Sequence, residues 1–87
     1  MRNWYIYIIR CADQSLYTGV TNDLERRLEE HNNGCAAARY TRGRRPVSLV
    51  YFETAADRSI ACRREYQIKQ LNRSNKQKLL ANFNSQM

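Results

Sequence analysis

"YIYIIRCADQSLYTG", residues Tyr5 to Gly19, is the stretch on which the fold of this chain turns. Trp4 to Cys11 is rich in aromatic and β-branched residues, which suit a pleated, half-buried surface. "ADQS" supplies turn residues, and Leu16 to Val20 returns as a second run of the same kind. The stretch therefore predicts a β-hairpin. Alternation along a strand puts Tyr5, Tyr7 and Ile9 on one face and Trp4, Ile6 and Ile8 on the other. Tyr17 and Gly19 share a face of the second strand, and the register decides whether that face is also Tyr7's. Two explanations of the clustered tyrosines compete: β propensity alone, or phenols aimed at a substrate.

The segments that follow alternate helix and strand signals. "TNDLERRLEEHNNG" (21–34) predicts a helix with Asn22 as N-cap, Glu25 closing a capping box and Asn33-Gly34 as the stop. Leu24, Leu28 and His31 form its core-facing stripe. "CAAARYTRGRRP" (35–46) reads as a basic loop or short turn closed by Pro46, and "VSLVYFE" (47–53) as a buried third strand. "TAADRSIACRREYQIKQL" (54–71) predicts a second helix capped by Thr54, with Ile60, Ala61, Ile68 and Leu71 as its stripe. "SNKQKLLANF" (74–83) predicts a short third helix, with Ser74 and Gln77 as capping box and Leu79, Leu80 and Phe83 as anchors. The order β-β-α-β-α-α makes an α/β (α+β) fold, a small three-stranded, mostly antiparallel sheet flanked by helices. Eighty-seven residues cannot bury two cores, so one domain spans 1–87, with its core over about 4–71 and the last helix over about 74–83.

Charge narrows the function classes. Fifteen Lys+Arg against eight Asp+Glu give +7, an excess that concentrates polyanions at a small surface and points to nucleic acid. No apolar run reaches the length of a membrane span, and no helix combines a lysine-rich face with a bulky apolar one. The N-terminus lacks the layout of a secretory leader, so a cytoplasmic location is expected. Cys11, Cys35 and Cys62 are odd in number and widely spaced, which fits neither a disulfide framework nor a CxxC metal clip, and they read as semi-buried thiols. There is no phosphate-cradling glycine loop, zinc spacing or nucleophile elbow.

Helix phase sorts the remaining polar residues. At about 100° per residue, Arg27 leaves its helix beside the Leu24, Leu28 and His31 stripe, whereas Arg26 points nearly opposite. Arg27 is then either a snorkelling stem or ion-pair partner, or a functional cation at the edge of the core. His31, one turn on, reads by itself as a packed, hydrogen-bonded histidine. Glu65 stands at i+4 from Ala61 and i−3 from Ile68, again at the edge of a stripe. Such a carboxylate is a salt-bridge partner or the holder of one Mg²⁺, which needs only one or two protein carboxylates. Spacing offers no second carboxylate for a two-metal site. Arg64, nearer the middle of the stripe, is unexplained at this level.

Taken in order, "YIY", then "YTG" with its tyrosine ten residues after Tyr7, "NDLERRLEEH" and "CRREYQIKQL" resemble the GIY-YIG nuclease family. The likeness runs from Tyr5 to about Leu71 and is strongest to the short, stand-alone bacterial YhbQ-like subgroup, with "ARYTRGRRPVSLVY" as its middle segment. The resemblance implies a metal-dependent DNA endonuclease. In it, Tyr7 matches the tyrosine of the first motif, and Tyr17 and Gly19 match the tyrosine and glycine of the second. Arg27 matches the catalytic arginine, Glu65 the metal-binding glutamate, and His31 a histidine found in part of the family. One divalent ion, Mg²⁺ or Mn²⁺, on Glu65 is implied, with Tyr7 or Tyr17 as general base. Arg39, Tyr40, Arg42, Arg44 and Arg45 are expected to hold the nucleic-acid backbone, with Tyr40 stacking on a base. Tyr5 stands where the first motif usually has glycine, Val20 where some members carry lysine, and Asn72 and Asn82 compete for the place of a late asparagine. The implied partner is DNA, branched or nicked forms included, read by structure rather than by sequence in a role in DNA repair or processing. No membrane and no obligate protein partner are expected. Two other readings stand beside the enzyme: a nucleic-acid-binding module that cleaves slowly or not at all, and a protein-interaction domain.

Overall fold

The hairpin forms as expected. In the computed structural model of the chain, which describes residues 3–34 and 39–85, strands β1 (Trp4–Arg10) and β2 (Leu16–Thr21) pair antiparallel. The turn closes through Cys11 N–H on Ser15 O and Gln14 N–H on Cys11 O, each at 2.9 Å. Gln14 takes a left-handed φ of 71° there, and Asp13 Oδ1 accepts from Ser15 N–H at 3.0 Å. Strand β3 (Ser48–Ala55) pairs with the other side of β1, giving the order β2-β1-β3, antiparallel throughout.

As the central strand, β1 buries Ile6, Tyr7, Ile8 and Ile9 in succession, and each of its faces feeds one hydrophobic cluster. Ile6 and Ile8 join Tyr51, Ala55, Ala61, Ile68 and Leu80. Tyr7 and Ile9 join Cys11 and Val47, with Tyr17, Leu24 and Leu28 packed against them. A bulge in β3 sets Ile8 against Tyr51 and Ile9 against Leu49, leaving Val50 as the extra residue. Val50 and Tyr51 therefore both turn toward the Ile6 side, where a strict alternation would have split them.

Helix α1 (Leu24–Asn33) lies over the Tyr7 face, while α3 (Arg58–Lys69) and α4 (Arg73–Ser85) cover the Ile6 face. Between α1 and β3 sits a single turn, α2 (Arg39–Arg42), within the segment expected to be a loop or short turn. Cys35 and the side chain of Arg39 lie outside the described residues. All three expected caps are displaced. Asp23, not Asn22, caps α1, accepting from Arg26 N–H at 3.1 Å. Its own N–H is held by Thr21 Oγ1 at 3.1 Å, so the turn out of β2 carries the helix start one residue along. Thr54 is still paired with Tyr5 in the sheet, so the cap of α3 passes to Asp57, on Ile60 N–H at 2.9 Å. Asn72 Oδ1 accepts from Asn75 N–H at 2.8 Å and opens α4 ahead of Ser74.

The phase of α3 matters most for the site. Its buried line runs through Ala61 and Ile68. Ile60, expected in the core, lies about 100° from that line and is 46% exposed. Arg64 flanks the line on the β3 side and grips Glu53, with Nε–Oε1 at 3.0 Å and Nη2–Oε2 at 2.9 Å. Tyr51 Oη donates to the same carboxylate. Arg64 is thus a clamp between α3 and β3, and its paired guanidinium holds the Glu53 carboxyl below its ordinary range. Glu65 flanks the line on the opposite side, toward β2.

Candidate active site

Register settles the question left by the hairpin. Tyr7 stands opposite Gly19, and Ile9 opposite Tyr17, so both phenols belong to the α1-facing side of the sheet. The Tyr7 ring lies across Gly19: a Cβ there would fall within 2.9 Å of Tyr7 Oη, Cζ and Cε1. Any larger residue at position 19 displaces the phenol, which is the physical reason for glycine in "YTG". The Tyr7 hydroxyl meets two further groups. His31 Nε2 is 2.8 Å away, and the Arg27 guanidinium hydrogen-bonds to it from the neighbouring turn of α1. Arg27 is aimed by Glu30, at 3.0 Å on the same helix.

His31 is fully buried, and its other ring nitrogen, Nδ1, lies 2.8 Å from Thr41 Oγ1 on α2, also fully buried. A guanidinium can only donate, so the Tyr7 oxygen accepts from Arg27 and its own proton points to His31 Nε2. We assign His31 the tautomer that carries its proton on Nδ1 and donates to Thr41. Burial, with the Arg27 charge alongside, pushes the His31 ring down to about 4. Burial likewise pushes the Tyr7 phenol up to about 12. At neutral pH both are uncharged. This is the chain's lone histidine, so its titration can be followed without assignment. Its NMR resonances are expected to shift near pH 4 rather than around 6.5. Because the folded value is the lower one, the unfolded chain binds the proton more readily. Stability present above about pH 6.5 is therefore lost as pH falls toward 4, by about 3 kcal/mol in all. Urea unfolding at pH 7 and pH 4.5 on wild type and His31→Gln separates this contribution from that of Glu53, whose depressed value puts its loss lower still.

Tyr7, Tyr17, Gly19 and Arg27 line one cleft of about 290 Å³, and Glu65 reaches it from α3. The cleft is completed by Trp4, Val20, Arg58 and Cys62. Five of the six residues expected at the centre are thus brought together, and His31 stands directly behind Tyr7. Arg26 is exposed, as its phase predicted. Glu65 also pairs with Lys69, one turn on, at 3.5 Å. The cysteines divide, with Cys11 buried and Cys62 exposed at the cleft.

The basic segment is arranged differently from a row of open cations. Tyr40 stacks on Tyr17, with centroids 5.8 Å apart, and carries the Arg44 guanidinium 4.1 Å over its ring. Arg44 also pairs with Asp13 of the hairpin turn at 3.0 Å and donates to Tyr40 O at 2.7 Å. Arg45 donates to His31 O and Gly34 O, each at 2.6 Å, and so caps the carbonyl end of α1. Arg42 is exposed and shares a second hollow with Arg45. Three contributors went unread in the sequence. Glu30 was within reach of the i,i+3 rule applied to Arg27, and Arg58 of helix phase applied to Glu65. Thr41 carries no signal, since its role depends on a contact made across ten residues of chain.

Comparison with known proteins agrees with this geometry. A family model described as the GIY-YIG catalytic domain matches residues 3–78. A UPF0213 protein of Desulfotalea psychrophila is 56% identical over 88% of this chain and 70% of its own length. The UPF0213 protein YhbQ of Escherichia coli is 44% identical over 93% of this chain and 80% of its own. Among solved structures, the solution NMR structure of a UPF0213 protein from Bacillus halodurans superposes with a TM-score of 0.59 at 43% identity, covering 91% of this chain and 83% of that one. A family match across most of the chain, with relatives 44% and 56% identical over most of its length, leads to one conclusion: this chain belongs to the GIY-YIG family, among its UPF0213 (YhbQ-like) members.

Proposed function

We propose that the protein is a metal-dependent DNA endonuclease, selective for structure rather than sequence, acting in the cytoplasm in DNA repair or processing. The observation that carries this reading is the convergence of Tyr7, Tyr17, Arg27 and Glu65 on one cleft. A net charge of +7 supplies the attraction for a polyanion. The donor set suits a single hard cation. Glu65 is the one carboxylate lining the cleft among the described residues, and among these no cluster of three His, Cys, Asp or Glu exists to build a closed site. One carboxylate, with water and phosphate oxygens completing the shell, is the ordinary binding mode of Mg²⁺ or Mn²⁺. Held there by Glu65, the ion supplies Lewis-acid stabilisation of the charge developing on the phosphate.

The chain's own groups do the rest. Arg27 grips a phosphate oxygen through its planar fork, steadied by Glu30. A phenol at about 12 is no standing phenolate at neutral pH, so Tyr7 acts as a relay. It takes the proton of the attacking water at Oη as its own proton passes along the 2.8 Å hydrogen bond to His31 Nε2. The ring is neutral at pH 7 and leaves Nε2 open to accept, but with its value pushed down to about 4 it holds the proton only transiently before passing it back. Tyr17, braced by Tyr40, positions the water or phosphate, and Arg42, exposed in the basic segment, follows the backbone of the strand.

The ion pair between Glu65 and Lys69 favours a second reading, a binding module in which that carboxylate does no chemistry. One experiment separates the two: branched, nicked, linear and single-stranded DNA incubated with the protein in Mg²⁺, Mn²⁺ or EDTA. Cleavage of at least one form, abolished by EDTA, is expected. Binding measured alongside should weaken steeply with salt, with a log–log slope steeper than about −3. Binding without cleavage of any form would establish the module instead, and a flat salt response removes DNA as the partner.

A further inference from the structure

We propose that Arg58, propped on Trp4, is a phosphate-positioning residue, which holds the strand within about three nucleotides of the scissile bond. The inference rests on the nuclease reading of the cleft and names a contact that the four motifs do not contain. Arg58 opens α3 directly after its Asp57 cap, seven residues before Glu65. Seven residues at about 100° each return to within about 20° of the same direction, so Arg58 and Glu65 stand on one edge of the helix, about 10 Å apart along its axis. Both line the same cleft, with Cys62 between them. Successive phosphates of a duplex strand advance about 3.4 Å along the axis. A cation about 10 Å from the metal-side carboxylate therefore meets a phosphate two or three steps away, or nearer if the long side chain folds back.

Among the cations that line the cleft, charge pairing singles this residue out. Arg27, the other cation lining the cleft, is occupied by Tyr7 and Glu30. Arg44 is paired with Asp13, Arg64 with Glu53 and Lys69 with Glu65. Arg58 is exposed, and among the described residues its guanidinium has no carboxylate within 4.0 Å. Its contact is the ring of Trp4, 5.9 Å from the guanidinium carbon to the ring centroid. A cation resting over an indole keeps its donors turned outward and loses less freedom on meeting a phosphate than a free side chain would. Trp4 is itself packed against the Ile6 core, so the prop is rigid.

The test is equilibrium binding of a duplex oligonucleotide in EDTA across a salt series, with Arg58→Ala, Arg58→Lys and Arg63→Ala beside wild type. Arg63 is exposed on α3 about 140° from Arg58, so its removal takes the same net charge from outside the cleft. Arg58→Ala is expected to weaken binding about tenfold and to flatten the salt slope by about 0.9, the value of one phosphate contact. Arg58→Lys should restore the slope, since a point charge suffices for counterion release, and Arg63→Ala should leave it unchanged. Equal slopes for Arg58→Ala and Arg63→Ala, or an Arg58→Ala slope like wild type, would overturn the proposal. The two readings fail separately. A wild type that cuts no DNA while Arg58→Ala still loses its slope unit removes the nuclease and keeps the contact. Cleavage by wild type with an indifferent Arg58 does the reverse.

Discussion

Glu65→Gln is expected to reduce cleavage to background while leaving the fold and the affinity for DNA in place. The substitution keeps the size and removes the charge, and the buried line of α3 through Ala61 and Ile68 is not touched. What it breaks in the free protein is the pair with Lys69, whose side chains are 24% and 49% exposed at 3.5 Å. A pair so open to solvent contributes at most about 1 kcal/mol, so the melting transition should barely move. The catalytic consequence is of another order, because no second carboxylate lines the cleft among the described residues to hold a cation in its place. In EDTA the mutant should bind DNA at least as tightly as wild type, since a carboxylate facing a phosphate with no metal between them repels it. The measurement is a Mn²⁺ titration of cleavage paired with a binding isotherm in EDTA. Retained cleavage in the mutant would sink the metal assignment and leave Glu65 as the surface partner of Lys69.

How far the sequence could be read depended on which contacts were local. The hairpin and the three strands followed from runs of β-branched and aromatic residues, and the faces of β1 from alternation, signals that each strand carries alone; the burial expected along β3 did not hold, because it is an edge strand. Phase within α1 placed Arg27 at the edge of the core and Arg26 in solvent for the same reason. The caps moved because Asp23, Asp57 and Asn72 compete with nearby candidates, and the winner is set by where the preceding segment ends. For α3 that means where β3 stops pairing, at Ala55 rather than Glu53. Register was hidden too, because the pairing that lays Tyr7 across Gly19 is a property of two strands together and of neither alone. The hardest residues to read were arginines. Arg45 and Arg44 look in the sequence like members of an exposed basic run. One instead caps α1 through backbone carbonyls, and the other ties α2 to the hairpin turn. Arg64 looked misplaced on an apolar stripe until Glu53 appeared across from it. A guanidinium on a long stem finds partners far away in sequence, so composition reports the charge without reporting where it is used.

The last expectation uses two adjacent arginines as each other's control. Arg27→Ala should cut cleavage by about two orders of magnitude or more, the usual cost of losing one preorganised charge stabiliser. Arg26→Ala should change it less than about threefold, since that side chain is exposed on the far side of α1 and its backbone N–H alone serves the fold, at the Asp23 cap. Both remove one positive charge, so a difference between them cannot be assigned to net charge. Nor should it come from unfolding. Arg27 and Glu30 are 24% and 31% exposed, and the pair is worth about 1 kcal/mol or less to the folded state. Arg27→Lys should recover little, because an ammonium cannot reach Tyr7 Oη, Glu30 and a phosphate oxygen together as a planar fork does. A second consequence concerns the phenol. Arg27 holds the Tyr7 hydroxyl below the value that burial alone would set, so its removal should drive that phenol still further from ionisation. Single-turnover rates with saturating DNA, measured for all three variants beside wild type, report the chemical step apart from binding. Equal losses from Arg26→Ala and Arg27→Ala would mean that the two side chains only concentrate DNA at the surface, and the role given to Arg27 in the cleft would fall.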